Sequence, residues 1–342
     1  MKLDDRKGME CVENKFLRLP NIQKYEVDRR TADGFIASVE MDDGFAFRIH
    51  AYSLQQAFPS TVLQLIEKKS NDDKGVHILI SPYISDRTAE ICEKNGMGYF
   101  DYAGNCWFVG HSIYLSERGN KNPQPKQCGA VSIFERSSVV SSLILRELFA
   151  DINKVWKLKR LSEKVGCSIG QVSKVMGSLV RNAWAVRTVE GYAVSEPDSI
   201  LREWSRVYGK KEGISYPCYS LDSPSALEGK LRKMKQDTGI ESYLTGFSGG
   251  VRYAPVVRYN KVHVYMSPED IQEAVRYLEI KEVDSGANVV IFPLENDSYI
   301  KDCRIIAGDM VVSPLQVCLD SLQLKGRGEE LAEAVLKKEI MG

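Results

Sequence analysis

Apolar and polar positions alternate differently in three parts of the chain. In residues 1–118, two-residue periods predict strands at 34–40 and 45–52, joined by the turn signal Asp42-Asp43-Gly44. Further strand-like runs occupy 76–80, 99–102, 106–109 and 113–115. Val62, Leu63 and Ile66 give 60–69 a helical spacing, and 85–95 reads as an amphipathic helix ended by Gly96. Strands interleaved with helices predict one sheet with helices packed on it, a mixed α/β domain. Residues 213–342 share that texture. Strands are expected at 243–245, 256–265, 288–294 and 303–306, and helices at 225–236 and 268–278. Ser313-Pro314 is a strong helix start, a serine cap followed by a proline in the first turn, with Leu315, Leu319 and Leu322 on one face. A last helix over 327–338 places Leu331, Ala334 and Val335 inward. Its acidic start and basic end complement the helix dipole.

The middle of the chain has helical periods only, followed by a short hairpin. Val140, Ile144 and Leu148 mark a helix over 137–150, and Leu158, Leu161 and Val165 a second over 155–165. Gly166-Cys167 is a turn, Ser168 an N-cap, and Val172, Val175, Met176 and Leu179 form the buried stripe of a third helix. Strands at 185–189 and 192–194 flank Glu190-Gly191. This order predicts a winged helix-turn-helix, whose third helix enters the major groove while the wing touches the backbone. The expected architecture is therefore α/β (α+β) and multidomain: an N-terminal mixed α/β domain over 1–118, a central winged helix-turn-helix over 130–208 and a C-terminal α/β domain over 213–342. Linker composition at 117–127 and a softer break at 209–213 separate them.

Charge sharpens that picture. The chain balances 46 basic against 46 acidic residues, which excludes a uniformly basic protein but not a local patch. Between Lys154 and Arg187, eight basic residues face Glu163 alone. Such a surplus suits phosphate binding, because each contact releases condensed counterions. Ser168, Gly170, Gln171, Ser173 and Lys174 fall on the outward side of the third helix. Gln171 and Lys174 are the candidates for base edges, and Lys157, Lys159, Arg160, Arg181 and the wing residue Arg187 suit phosphates. Double-stranded DNA is the expected partner, read as a homodimer on paired half-sites.

Other chemistry finds less support. The eight cysteines are scattered, without a C-x-x-C pair or a histidine at zinc-ligand spacing. The charged N-terminus is unlike a secretory signal, and no uncharged apolar run is long enough to span a membrane; the run at 139–149 is broken by Arg146. A cytoplasmic location is expected, with no cofactor, no metal and no catalytic set. The alternative is a metal-dependent nuclease in the N-terminal domain, targeted by the winged helix. It would draw on Asp42, Asp43, Asp101 and the triplet Glu67-Lys68-Lys69, although this triplet falls on a predicted helix rather than a strand. The run Thr245-Gly246-Phe247-Ser248-Gly249-Gly250 lacks the Lys-Ser/Thr of a P-loop and reads as a turn. Histidines 50, 77, 111 and 263 are isolated and read as structural.

The stretch from Val311 to Asp320 (VVSPLQVCLD), followed by Gly326-Arg327-Gly328-Glu329-Glu330-Leu331-Ala332-Glu333, resembles the AbiEi family. These are antitoxins and transcriptional regulators of bacterial type IV toxin–antitoxin systems. Residues 81–85 (SPYIS), 99–105 (YFDYAGN) and 284–289 (DSGANV) are similar to members with this layout. The resemblance implies a winged helix that represses its own promoter and a C-terminal domain tied to antitoxin activity. It also implies a functional pairing with a nucleotidyltransferase-like toxin, without a stable complex. In the better-known arrangement the winged helix stands at the N-terminus, whereas here about 130 residues precede it.

Overall fold

The structure, a computed structural model, describes residues 5–68, 75–122, 133–135, 139–208 and 215–342. They fall into two compact units, one drawn from 1–130 and 180–183, the other from 131–179 and 184–342. Most of the two sequence breaks, 123–127 and 209–213, lies outside the described residues.

The first unit runs α1 (Asp5–Phe16), β1 (Ile22–Thr31), β2 (Gly34–Met41), β3 (Ala46–Ser53), α2 (Pro59–Lys68), β4 (Val76–Ser81), α3 (Asp86–Lys94), β5 (Gly98–Asp101), β6 (Cys106–Gly110) and β7 (Ile113–Glu117). Its seven strands lie side by side in chain order. β1 to β3 are antiparallel, β3, β4 and β5 are parallel, and β5 to β7 are antiparallel again. The two parallel steps need crossovers, which α2 and α3 supply. Strand periodicity sends Leu79 and Tyr99 to one face, against Val62, Ile91 and Cys92 of those helices. Ile78, Ile80 and Phe100 go to the other face, against Val12 and Phe16 of α1. The sequence reading did not anticipate α1 or β1. In α1 the anchors Val12 and Phe16 stand among charges, and β1 is exposed at most positions, so neither shows a clear period.

The second unit opens with α4 (Val139–Ala150), α5 (Leu158–Val165), α6 (Ile169–Arg181), the antiparallel pair β8 (Ala185–Arg187) and β9 (Tyr192–Val194), and α7 (Pro197–Tyr208). It continues through β10 (Tyr216–Tyr219), α8 (Pro224–Thr238), β11 (Ser242–Leu244), α9 (Gly246–Tyr253), β12 (Val262–Met266) and α10 (Ile271–Tyr277). Then follow β13 (Lys281–Glu282), β14 (Val289–Pro293), β15 (Arg304–Ile306), β16 (Asp309–Val311), α11 (Pro314–Ser321) and α12 (Gly328–Val335). The large sheet has the order β13-β10-β14-β12-β11-β16-β15. The molecule is thus mixed α/β, as expected.

Four expectations need correction. The glycine run at 245–250 is not a turn: it opens helix α9. A Cβ at Gly249 would lie 2.7 Å from the Leu244 carbonyl oxygen, and one at Gly250 would lie 2.4 Å from Leu331 Cδ2. The glycines serve close packing of α9 on β11 and α12, which outweighs their poor helix propensity. The strand expected at 256–265 shrinks to β12. The second helix starts at Leu158 rather than at 155, because Trp156 exchanges both backbone hydrogen bonds with Tyr192, at 2.8 and 2.9 Å. Finally, α11 is not amphipathic. All eight of its residues are buried, Gln316 and Asp320 included.

Candidate nucleic-acid interface

Local chemistry fixes the α5–turn–α6 corner. Gly166 adopts φ 76°, and its N–H donates to Ser162 O at 2.9 Å, closing α5. Ser168 then starts α6 through a capping box. Its Oγ accepts from Gln171 N at 3.2 Å, while Gln171 Oε1 accepts from Ser168 N at 3.0 Å and from Ser168 Oγ at 2.9 Å. Leu161, Val172, Val175, Met176 and Leu179 are buried as anticipated. On the opposite side Ser168, Gly170, Gln171, Ser173 and Lys174 are exposed, as are Lys157, Lys159 and Arg160 on and before α5. Lys159 reaches Glu163 only at 4.0 Å, and Lys157, Arg160 and Lys174 make no ion pair among the described residues. Arg187 is exposed on β8, its guanidinium 5.8 Å from the Tyr192 ring centroid. Val189, at the hairpin tip, is fully exposed. Arg181 lies in the last turn of α6, within the four residues counted with the first unit, and is partly covered. Geometry thus changes one role: the Gln171 carboxamide oxygen is engaged in the cap, so this side chain first of all fixes the helix start. The S-x-x-Q spacing was the signal for it.

Behind this surface lies a polar cluster that sequence reasoning missed. Arg146 of α4 is buried and donates to Gln316 Oε1 at 2.5 Å. Gln316 Nε2 donates to Tyr208 Oη at 2.7 Å and to Asp320 Oδ1 at 2.8 Å. Tyr265 Oη donates to the same Asp320 oxygen at 3.1 Å, and Thr245 Oγ1 donates to the other. Burial pushes the Asp320 carboxyl up to about 6, against the pull of these donors and of the Arg146 charge. Burial likewise lowers the Arg146 guanidinium and holds Tyr208 and Tyr265 well above the ordinary phenol. The guanidinium also lies 5.8 Å from the ring centroids of Trp204 and Tyr299. A second tie runs from Arg202 of α7 to Glu329 at 2.5 Å and to Glu333 at 2.6 Å on α12. A lone arginine in the apolar run of α4 was the available clue.

Residues 193–341 match the family model described as a transcriptional regulator, the AbiEi antitoxin of a type IV toxin–antitoxin system. This segment belongs to the AbiEi family. No match is found among curated proteins. The AbiEi segment takes in β9, α7 and everything after it, and leaves α4 to α6 upstream. Within it, the 311–320 run that carried the resemblance is buried throughout, whereas Gly326, Arg327, Glu329 and Glu330 are exposed. Ser313 caps α11, its Oγ accepting from Gln316 N at 3.3 Å, and Gln316 and Asp320 build the polar cluster. Gly326 adopts φ 83° in the following turn. A Cβ at Gly328 would come within 2.2 Å of the Ser321 carbonyl oxygen. Arg327 pairs with Glu330 and donates to Val256 O at 3.0 Å.

The nuclease alternative loses its residues to structural duties. Asp101 is buried, and its carboxylate accepts from Ile84 N at 3.1 Å, Asn105 N at 2.9 Å and Asn105 Nδ2 at 2.8 Å. It pins 81–85 to 99–105, two of the stretches that resembled the family. Asp43 accepts from Phe45 N at 2.9 Å within the hairpin turn. Glu67 and Lys68 sit exposed at the end of α2 rather than on a strand, and Lys69 lies outside the described residues. Among the described residues no group of three or more His, Cys, Asp or Glu side chains is placed to hold a metal ion. The described cysteines are free thiols. His77 bonds Tyr52 Oη at 3.1 Å, and His263 is buried, its imidazole lowered to about 4 by desolvation. No described helix is long and apolar enough to cross a membrane.

Proposed function

We propose that the chain is an autoregulating antitoxin whose 130–208 segment is a winged helix-turn-helix that binds double-stranded DNA at its own promoter. In this reading α6 is the recognition helix, with Ser173 and Lys174 at base edges and Gly170 allowing close approach. Ser168 and Gln171 hold its first turn. Lys157, Lys159, Arg160 and Arg181 take phosphates, and Arg187 on the β8–β9 wing takes the flanking backbone. The domains are 1–118, 130–208 and 213–342. The chain acts in the cytoplasm as a homodimer on paired half-sites. It opposes a nucleotidyltransferase-like toxin without holding it in a stable complex, and it performs no catalysis.

The observation that carries the reading is the exposed, largely unpaired cationic side of α5 and α6, set over a mainly apolar interior stripe that also buries Ser162 and Ser178. The test is a gel shift on the DNA upstream of the gene. Lys174→Ala should weaken binding to that duplex about tenfold more than to random DNA, within the range of a lost base contact. Charge reversal at Lys159 and Arg160 should flatten the dependence of log K on log salt by roughly 0.9 per lost phosphate contact. Equal losses on both duplexes, or an unchanged salt slope, would refute the assignment.

A further inference from the structure

Ile169, the first residue of α6, is 49% exposed. Its neighbours Gly170, Gln171, Ser173 and Lys174 are exposed too, and none of them is aliphatic. The construction of the helix does not call for an isoleucine at this position. The buried stripe is complete without it, since Val172, Val175, Met176 and Leu179 are at most 2% exposed. The capping box is made by Ser168 and Gln171. The apolar pair that brackets such a box falls at Cys167 and Val172, one residue before the cap and four into the helix. Isoleucine is also a poorer helix former than alanine, because its branched Cβ crowds the preceding turn.

A single exposed aliphatic side chain is ordinary on a protein surface; the position of this one sets it apart. Ser173 stands one turn further along, about 40° around the helix from Ile169. On the outward side comes Gly170, where even an added Cβ would find Ser168 Oγ, 3.9 Å away, as its nearest neighbour. The isoleucine therefore projects beside a bare stretch of helix, on the flank that carries the polar groups assigned to base edges.

Resting on the reading of α6 as a recognition helix, we infer that Ile169 reads the C5-methyl group of a thymine in the major groove. That methyl is the one apolar group that the four bases present there, and cytosine lacks it. Ser173 and Lys174 distinguish donors from acceptors and are blind to it. Set against the edge of a guanine or cytosine, the same isoleucine would strip water from polar groups without bonding them, so the wrong base pair is penalised as well.

A gel shift on the DNA upstream of the gene, with each thymine replaced in turn by deoxyuridine, tests it. The exchange removes the C5-methyl and leaves every hydrogen-bonding group in place. The unaltered chain should lose about fourfold in affinity at one thymine per half-site, the worth of one buried methyl group. Ile169→Ala should bind the unsubstituted duplex about fourfold more weakly and lose nothing further at that thymine. Alanine is the better helix former, so a weakened α6 would not account for the loss. Lys174→Ala, and Val189→Ala at the exposed tip of the wing, should keep the sensitivity to deoxyuridine. A flat scan on a duplex that still binds overturns the inference alone and leaves α6 as a recognition helix. Undiminished sensitivity in Ile169→Ala, or its disappearance in Val189→Ala, overturns it too. Failure of the unaltered chain to shift any duplex overturns both readings. Both altered side chains, Ile169 and Val189, are exposed, and matching circular dichroism spectra will establish that the variants fold.

Discussion

Replacing Arg146 by methionine isolates the electrostatics of the buried cluster, since the side chain keeps most of its length and loses its charge. Asp320 titrates near 6 in the folded chain against 3.8 for an ordinary aspartate. Between those values the native state holds the proton more tightly than the unfolded chain, so stability falls as pH rises through this window. Fully ionised, the buried carboxylate costs roughly 3 kcal/mol relative to its unfolded reference. The Arg146 charge offsets part of its desolvation. Without Arg146 the carboxyl moves further up because the nearby positive field is lost, and Gln316 Oε1 loses a charged donor, a bond worth about 1.5–3 kcal/mol. That loss should appear in full at pH 8, where Asp320 is ionised in the unaltered protein. At pH 5 Asp320 is mostly protonated already, and the loss should be smaller by about 1.4 kcal/mol for each unit of further displacement. Urea unfolding at the two pH values measures it, followed by tryptophan fluorescence, to which Trp204 beside Arg146 contributes. An equal loss at both pH values would refute the electrostatic account and leave only packing.

Two further outcomes follow from local geometry. Ser168→Ala removes the hydroxyl half of the capping box and should cost about 1 kcal/mol in urea unfolding; a neutral result would mean that the cap is not formed in solution. Gly249→Ala should destabilise by about 1–3 kcal/mol more than Gly250→Ala in thermal unfolding. The reason is that a Cβ at 249 meets the Leu244 backbone, which has no rotamer to change, whereas one at 250 meets the Leu331 side chain, Cγ included, where a rotamer change relieves part of the clash. Similar losses would show that α9 shifts as a body.

Sequence periodicity served best where one face of an element is buried and the other wet. The alternation of β3, α3 with its Gly96 stop, and the α6 stripe were legible for that reason. It misled where an element is buried all round or barely at all. α11 offers no polar face, so Leu315 and Leu319 suggested an amphipathic helix while Gln316 and Asp320 were the informative positions. β1 exposes most of its residues and so shows no period to read. Glycines in α9 spoke for a turn because composition does not show which backbone or side chain presses against them. In the candidate interface, charge counting found the surface, but only coordinates revealed that Gln171 bonds back to Ser168. The Arg146 cluster joins residues 170 positions apart in the chain, a separation that no local pattern encodes.

The shared interior of α4, α7 and α11 has a practical corollary for protein engineers. Lifting the helix–hairpin piece out as a cassette would strand the Arg146 guanidinium without Gln316 and strip Arg202 of Glu329 and Glu333. A graft onto a foreign scaffold must therefore carry α11 and α12 along, or recode Arg146, Tyr208 and Arg202 together as apolar or solvent-compatible residues. Swapping only the outward side chains of α5 and α6 leaves that joint untouched.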